Sequence, residues 1–354
     1  MVIIPCSRLR VHTQSSKETS MAQKTFIGQE NIHWQKALSN SISSPRELLS
    51  LLELDPSLLP EAIKADKQFS LKVPKAFASR MEKGNPKDPL LLQVLPLGKE
   101  LLETKGYSLD PLAENKQTPQ NGVIHKYYGR LLLITSGVCA INCRFCFRRH
   151  FPYGDNQLVG ESWSNALSYI SSDSTIKEVI LSGGDPLAAS DKRLENLVSA
   201  LSEISHVETL RIHTRLPIVI PQRITKEMLR WLTSSRLKPV VVIHCNHVNE
   251  IDSSVEAALT RLQQAGVILL NQTVLLKGIN DSSEALIELN QKLFHSSVLP
   301  YYLHLLDPVQ GAAHFDVDDA IAKRLIKTIM AKCPGYLVPR LVRETTNCPC
   351  KTPV

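Results

Sequence analysis

The chain lacks any run of about 18 to 20 apolar residues, the length that a membrane helix requires. Its opening Met-Val-Ile-Ile-Pro-Cys is too short for a signal-peptide core, and no basic segment precedes it. Basic runs and basic stretches interleaved with aromatics are also missing. The net charge of +7 therefore implies solubility and attraction to acidic partners, without the footprint of a nucleic-acid binder. Eight cysteines, three of them in one tight motif, fit a reducing cytosol better than a disulfide framework. No G-x-G-x-x-G follows the first strand-like stretch, which argues against a Rossmann sheet.

What is present is a chain of 354 residues, 43% apolar and 21% charged, ordinary for a globular protein with a large core. Residues 1–20 hold Arg8, Arg10 and Lys17 against Glu18, or +2 of the net charge. Met21 begins a more ordinary start, so residues 1–20 are expected to be a disordered tail or a mis-assigned start. Residues 21–120 read as a helical N-terminal extension. In it Trp34, Ala37, Leu38 and Ile42 recur near a 3.6 period, and Pro45 opens a second helix capped by Ser44. Short amphipathic pieces broken by prolines follow over 56–117.

From residue 131 the texture changes. Apolar, β-branched runs stand at Leu131–Thr135, Glu178–Ser182, Thr209–His213, Val240–His244, Val267–Leu275 and Tyr301–Leu306. Helical patterns separate and follow them at Trp163–Ile170, Asp191–Ile204, Thr225–Leu232, Ser254–Ala265, Ser283–Phe294 and Asp318–Ala331. Ser190, Thr225 and Ser253 read as helix caps. Six such βα units predict a parallel sheet covered by helices. Polar residues gather at the carboxyl ends of many different strands, where α/β barrels place their sites. The expected fold is α/β, a partial (β/α)6 barrel over 121–335, with 336–354 as a C-terminal segment.

The strand ends carry the chemistry. Behind the first stand Cys139-Ala-Ile-Asn-Cys143-Arg-Phe-Cys146 and then Phe147, Arg148, Arg149 and His150. Three thiolates at this spacing can hold three irons of a [4Fe–4S] cluster, which is normally held by four cysteines, and leave the fourth iron open. Zinc is the competing reading, but a structural zinc site wants a fourth Cys or His at a paired spacing, and none is near. The second strand runs into Ser182-Gly183-Gly184-Asp185-Pro186, where glycines permit close backbone approach to a ligand and Asp185 can cap the turn. The same residues also make an ordinary turn. Further ends are His244-Cys245-Asn246-His247, Asn271-Gln272-Thr273 and Leu306-Asp307-Pro308. Each fits a satisfied polar residue in a barrel interior about as well as a ligand, and Cys245 reads as a small buried hydrophobe. The last twelve residues, Arg343–Val354, are short of hydrophobic anchors. On their own they read as a frayed tail, with Lys351 a solvated amine and Cys348 and Cys350 incidental.

The cysteine spacing and the Gly-Gly turn resemble those of radical S-adenosylmethionine (SAM) enzymes. In these, the amino and carboxylate groups of SAM take the open iron. Together with Arg148-Arg149, Asn271–Asp281 and Lys351-Thr-Pro, residues 125–354 resemble the lysine 2,3-aminomutase family, which joins that cluster to pyridoxal phosphate (PLP). The resemblance implies that Cys139, Cys143 and Cys146 hold a [4Fe–4S] cluster and that Lys351 forms the Schiff base with PLP. It implies further that Tyr127 and Arg130 hold PLP, with Arg130 at its phosphate. Gly183, Gly184, Asp185, His244 and Gln272 would approach SAM. Arg148 would take the substrate carboxylate, and Asp307 and Glu344 the lysine ε-ammonium, Glu344 standing where the family has aspartate. The family's glycine run before the lysine is replaced here by Asn347-Cys-Pro-Cys, which implies a less flexible loop.

The implied reaction is isomerisation of (S)-α-lysine to (R)-β-lysine in the cytoplasm, fed by an external electron donor, without nucleic acid or membrane partners. Ser44-Pro45-Arg-Glu-Leu-Leu, Phe69–Phe77 and Arg80–Pro86 resemble the branch that serves elongation factor P, to which a separate ligase attaches β-lysine. Two rivals remain. A glutamate aminomutase is disfavoured because Asp307 and Glu344 would repel an acidic side chain. A non-catalytic iron–sulfur protein would show a cluster signal that SAM does not perturb.

Overall fold

The structure, a computed structural model, describes residues 33–114, 117–154, 158, 160–346 and 348–354; the expectation for residues 1–20 lies outside the described residues. Among the described residues, nine strands form one sheet in chain order. They are β1 (Val123–Tyr127), β2 (Arg130–Ser136), β3 (Glu178–Gly183), β4 (Thr209–Thr214), β5 (Lys238–His244), β6 (Ile268–Val274), β7 (Leu299–His304), β8 (Arg340–Arg343) and β9 (Thr352–Pro353). From β2 to β8 every neighbouring pair is parallel, while β1 and β9 are antiparallel edges.

The six expected strands are β2 to β7. A helix covers each βα crossover: Glu161–Ser172, Asp191–Ser202, Lys226–Thr233, Ser253–Gln264, Ser283–His295 and Asp319–Lys332. Side chains alternate along each strand. Val179 and Leu181 are fully buried in the main hydrophobic cluster, whereas Ile180 between them faces the concave side. Leu132, Arg211, Val240, Leu270 and Tyr302 face the same way from their own strands, so one face of the sheet curls around a single cavity. This is a partial barrel.

Three strands escaped the sequence reading. β1 and β8 are five and four residues long, and β9 is two. β1 turns back into β2 through Gly129 at φ +75°, a conformation that glycine adopts without a Cβ penalty. The frayed-tail expectation for the C-terminus is corrected by β9, which pairs Val342 with Pro353 and Arg343 with Thr352. Val354 supplies an anchor, packing with Leu303 and Leu341.

Two helix starts behave as expected: Ser190 accepts from Arg193 N (3.4 Å) and Thr225 from Met228 N (3.1 Å). The third is shifted by one residue. Asp252, not Ser253, accepts from Val255 N (2.9 Å), because a carboxylate at the cap also favours the positive end of the helix. Ser44 occupies the cap position ahead of Pro45 but makes no side-chain cap bond.

Helical turns at 33–39, Pro45–Leu51, Leu59–Asp66 and Lys75–Ala78 precede the sheet. Trp34, Leu48, Leu71 and Phe77 lie in one continuous hydrophobic cluster with Leu187, Ile218 and Met228 of the barrel. Beneath Trp34, the Arg223 guanidinium sits 4.5 Å from the indole ring and pairs with Asp191 at 2.7 Å, which also accepts from Trp231 Nε1 at 2.7 Å. Among the described residues, no helix is long and apolar enough to cross a membrane.

Candidate active site

A cavity of about 710 Å³ opens on the concave face of the sheet. Every candidate site residue of the sequence lines it: Tyr127, Arg130, the three motif cysteines, Arg148, Gly183, Gly184, Asp185, His244, Gln272, Asp307, Glu344 and Lys351. Residues more than two hundred positions apart in the chain thus share one wall-to-wall space.

At one end lie Cys139, Cys143 and Cys146, all with free thiols. Burial raises each thiol, that of Cys146 to about 11, and the neighbouring sulfurs add to the effect at Cys139 and Cys146. A crowd of buried thiols resists ionisation unless a cation compensates, which is what iron supplies to thiolate ligands. Cys245 is fully buried in the core and its thiol donates to His247 O, so it is no fourth ligand. The donor set fits a three-cysteine cluster.

Gly183 and Gly184 also allow a close approach within the protein. A Cβ on Gly183 would stand 2.6 Å from Ser136 O, and one on Gly184 would stand 2.7 Å from Val138 O. The close approach they permit is therefore to the backbone just before Cys139, not only to a ligand. Asp185 caps the turn as expected, and its carboxylate is fully engaged within the protein. It accepts from Leu187 N (3.0 Å), Thr214 Oγ1 (2.7 Å), Arg215 N (2.7 Å) and Leu216 N (3.1 Å). It shapes the turn at the edge of the cavity.

His244 stacks on Phe145 (ring centroids 5.6 Å apart) and, among the described residues, its Nε2 has no hydrogen-bond partner. Burial, then the nearby Arg215 charge, lowers its pKa to about 3, so it is neutral at working pH. Gln272 faces the same space from β6.

At the other end lies Lys351, brought over the cavity by the β8–β9 pairing. Its amine donates to Glu344 Oε2 and lies 5.7 Å from the Tyr302 ring centroid. Glu344 Oε1 accepts from Lys126 Nζ (2.7 Å) and from the Tyr127 hydroxyl. Burial opposes the charge on Glu344, but Lys351 and the hydrogen-bond donors outweigh it and hold the carboxyl at about 2. Arg130 stands 4.7 Å over the Tyr127 ring and, among the described residues, pairs with no carboxylate, so its charge is available to an anion. Amine, aromatic face and unpaired guanidinium together fit PLP. Asp307 is half-buried on the cavity wall; desolvation there, then the Glu344 charge, pushes its pKa up to about 7.

Arg148 is not idle. Its Nε and Nη2 form a bidentate pair with Glu114 (2.7 Å each), while Nη1 contacts Ser182 Oγ at 3.2 Å. The side-on edge of the fork is taken and Nη1 also reaches Gly183 O (3.5 Å), so a second carboxylate at the Nη1–Nη2 end would share Nη1 with the glycine turn.

Glu114 and Lys126 had no motif to announce them. His213, His304 and Arg215 did have a signal: they sit at the ends of β4 and β7, the rim positions that the strand-end rule selects. His213 and His304 line the cavity with Nε2 unpartnered. Burial, followed by Arg211 at His213 and by Lys351 at His304, keeps both neutral.

An open parallel barrel, with a three-cysteine loop and a glycine turn at its rim, places the chain in the radical SAM class of α/β enzymes. No protein-family model matches the chain. It is 49% identical over 332 residues to the L-lysine 2,3-aminomutase of Haemophilus influenzae, covering 94% of this chain and 98% of that protein. It is 47% identical over 322 residues to the enzyme of the same name from Escherichia coli (91% and 94% covered). With that of Clostridium subterminale the identity is 34% over 323 residues (91% and 77% covered). The chain belongs to the L-lysine 2,3-aminomutase family.

Proposed function

We propose that the protein is an isomerase that moves the 2-amino group of (S)-α-lysine to carbon 3, giving (R)-β-lysine. The observation that carries this reading is that the three cysteines and Lys351 line one cavity together with Asp307, Glu344 and Arg148. When bound, a [4Fe–4S] cluster, SAM and PLP supply the electron, the hydrogen-abstracting radical and the nitrogen carrier.

The protein's part is to bind, orient and shield. Cys139, Cys143 and Cys146 hold the cluster, and Gly183, Gly184, His244 and Gln272 border the space for SAM. Lys351, Tyr127 and Tyr302 would hold PLP, and Arg130 would take its phosphate. Arg148, oriented by Glu114, receives the substrate carboxylate on its free edge. Asp307 and Glu344 receive the ε-ammonium. In this structure Glu344 Oε2 is occupied by the Lys351 amine. A substrate ammonium at that oxygen would replace one cation by another.

Relatives in the same size range carry the same name, and the N-terminal motifs support a role in supplying β-lysine to elongation factor P. An external one-electron donor and a cytoplasmic setting complete the reading. The domain division into a helical extension over 21–120, a barrel over 121–335 and a cofactor-bearing segment over 336–354 is part of the same proposal. The test is anaerobic reconstitution with iron, sulfide, SAM, PLP, dithionite and (S)-lysine, followed by chiral chromatography. β-Lysine is expected. Its absence from protein that carries both cluster and PLP would overturn the substrate assignment.

A further inference from the structure

A buried guanidinium reaches the sulfur end of the cavity. Arg215, immediately after β4, is 6% exposed. Its Nη1 donates to Cys143 Sγ at 2.6 Å. Its Nη2 donates to Gln93 Oε1 (2.6 Å) and Glu250 Oε2 (2.9 Å), and its backbone N–H donates to Asp185. The Phe77 and Phe145 rings lie 5.4 and 5.9 Å from it. Glu250, fully buried, is itself fixed by Asn246 N, His247 N and Gln93 Nε2 (2.9, 3.1 and 3.1 Å). The side chain therefore has one place to go, against the middle cysteine of the motif. Its main chain ties that cysteine to the glycine turn at the same time.

Such a placement is more than packing. Hydrogen bonds to cluster sulfurs and nearby net charge set an iron–sulfur reduction potential, and groups behind the ligands tune a metal site as the ligands themselves do. One-electron reduction, the electron here coming from dithionite, adds a negative charge to a buried cluster. A cation hydrogen-bonded to one of its thiolates favours the reduced form. A carboxylate behind that cation offsets part of the effect.

We infer that Arg215 is a positioning residue that makes the cluster easier to reduce by donating to Cys143, with Glu250 as its moderating counter-charge. The inference rests on the cluster assignment above, and the experiment separates the two. Wild type, R215M, R215K and E250Q are isolated anaerobically and reconstituted. Iron and sulfide are quantified, and the cluster midpoint potential is read by mediated titration followed by electron paramagnetic resonance. The potential is expected to move to more negative values in R215M, less far in R215K, which keeps the charge but loses the fork, and to more positive values in E250Q. Thermal unfolding of the cluster-free proteins reports any purely structural loss. If R215M folds without a cluster, R215K and E250Q carry the comparison. An unchanged potential in R215M with full iron content overturns the role of Arg215, as does an E250Q shift in the same direction as R215K. A wild-type protein that binds no iron and sulfide would instead overturn the cluster assignment.

Discussion

The Lys351 amine and the Glu344 carboxylate, seven residues apart in sequence, meet as an ion pair that also holds Lys126 and Tyr127. The β8–β9 pairing makes this contact possible by folding the last residues back over the barrel mouth. Lys351→Ala is expected to abolish turnover and the PLP absorbance while leaving iron content unchanged. Absorbance spectra and iron analysis of the same preparation check both halves. Glu344→Gln removes a charge-assisted partner worth roughly 1.5–3 kcal/mol, so the KM for lysine should rise about 10- to 100-fold.

Asp307 gives the site a pH dependence. Its pKa is pushed up to about 7 by burial and then by Glu344, so it is increasingly protonated below that value. An ammonium is bound by the ionised form, so the KM for lysine should rise as pH falls from about 8 to about 6, by at most about tenfold per unit. Asp307→Asn should flatten this dependence and raise KM throughout. Because the folded-state pKa lies above the unfolded value, the native protein loses stability as pH rises toward 7. Asp307→Asn should therefore melt higher at neutral pH while binding lysine worse.

Arg148 works through its orientation. Glu114→Ala frees the fork and leaves a buried guanidinium without its partner, so the KM for lysine should rise at least about tenfold, with a smaller change in kcat. Arg148→Lys should fare no better, since an ammonium cannot make two parallel bonds. Steady-state kinetics of both variants test this.

At Gly184 the neighbour that a Cβ would meet is backbone, Val138 O at 2.7 Å, which cannot swing aside. Gly184→Ala should displace the cysteine loop and lower both reconstituted iron content and SAM affinity, the latter by about tenfold or more. Gly335→Ala, with nothing within 4 Å of its Cβ, serves as the control and should change stability by less than about 0.5 kcal/mol.

Away from the cavity, Asp191 neutralises Arg223 in the core and accepts from Trp231. Asp191→Ala leaves that guanidinium buried and unpaired, a loss of about 3–5 kcal/mol that thermal unfolding would read directly.

The six barrel strands from β2 to β7 were legible because each is a run of apolar, β-branched residues between helices with clear starts. β1, β8 and β9 were not, because two to five residues carry no period, and their pairing depends on a neighbour elsewhere in the chain. Among site residues, the cysteines announced themselves by spacing and Asp307 by its strand end. Glu114 did not, since a lone acid in a proline-broken stretch becomes meaningful only once Arg148 is seen beside it. Asp185 was legible in part: its capping of the turn was visible, but three of the four donors to its carboxylate, at Thr214, Arg215 and Leu216, come from the far end of β4.

Local chemistry was therefore written in the order of the residues: three sulfurs within eight positions and glycines at a turn. These follow from side-chain type and short-range spacing. Which groups meet was settled by the fold, because ion pairs, burial and shared cavities are long-range effects. The curl of the sheet set Arg215 against Cys143, and the pairing of β9 with β8 turned a tail lysine into the partner of Glu344.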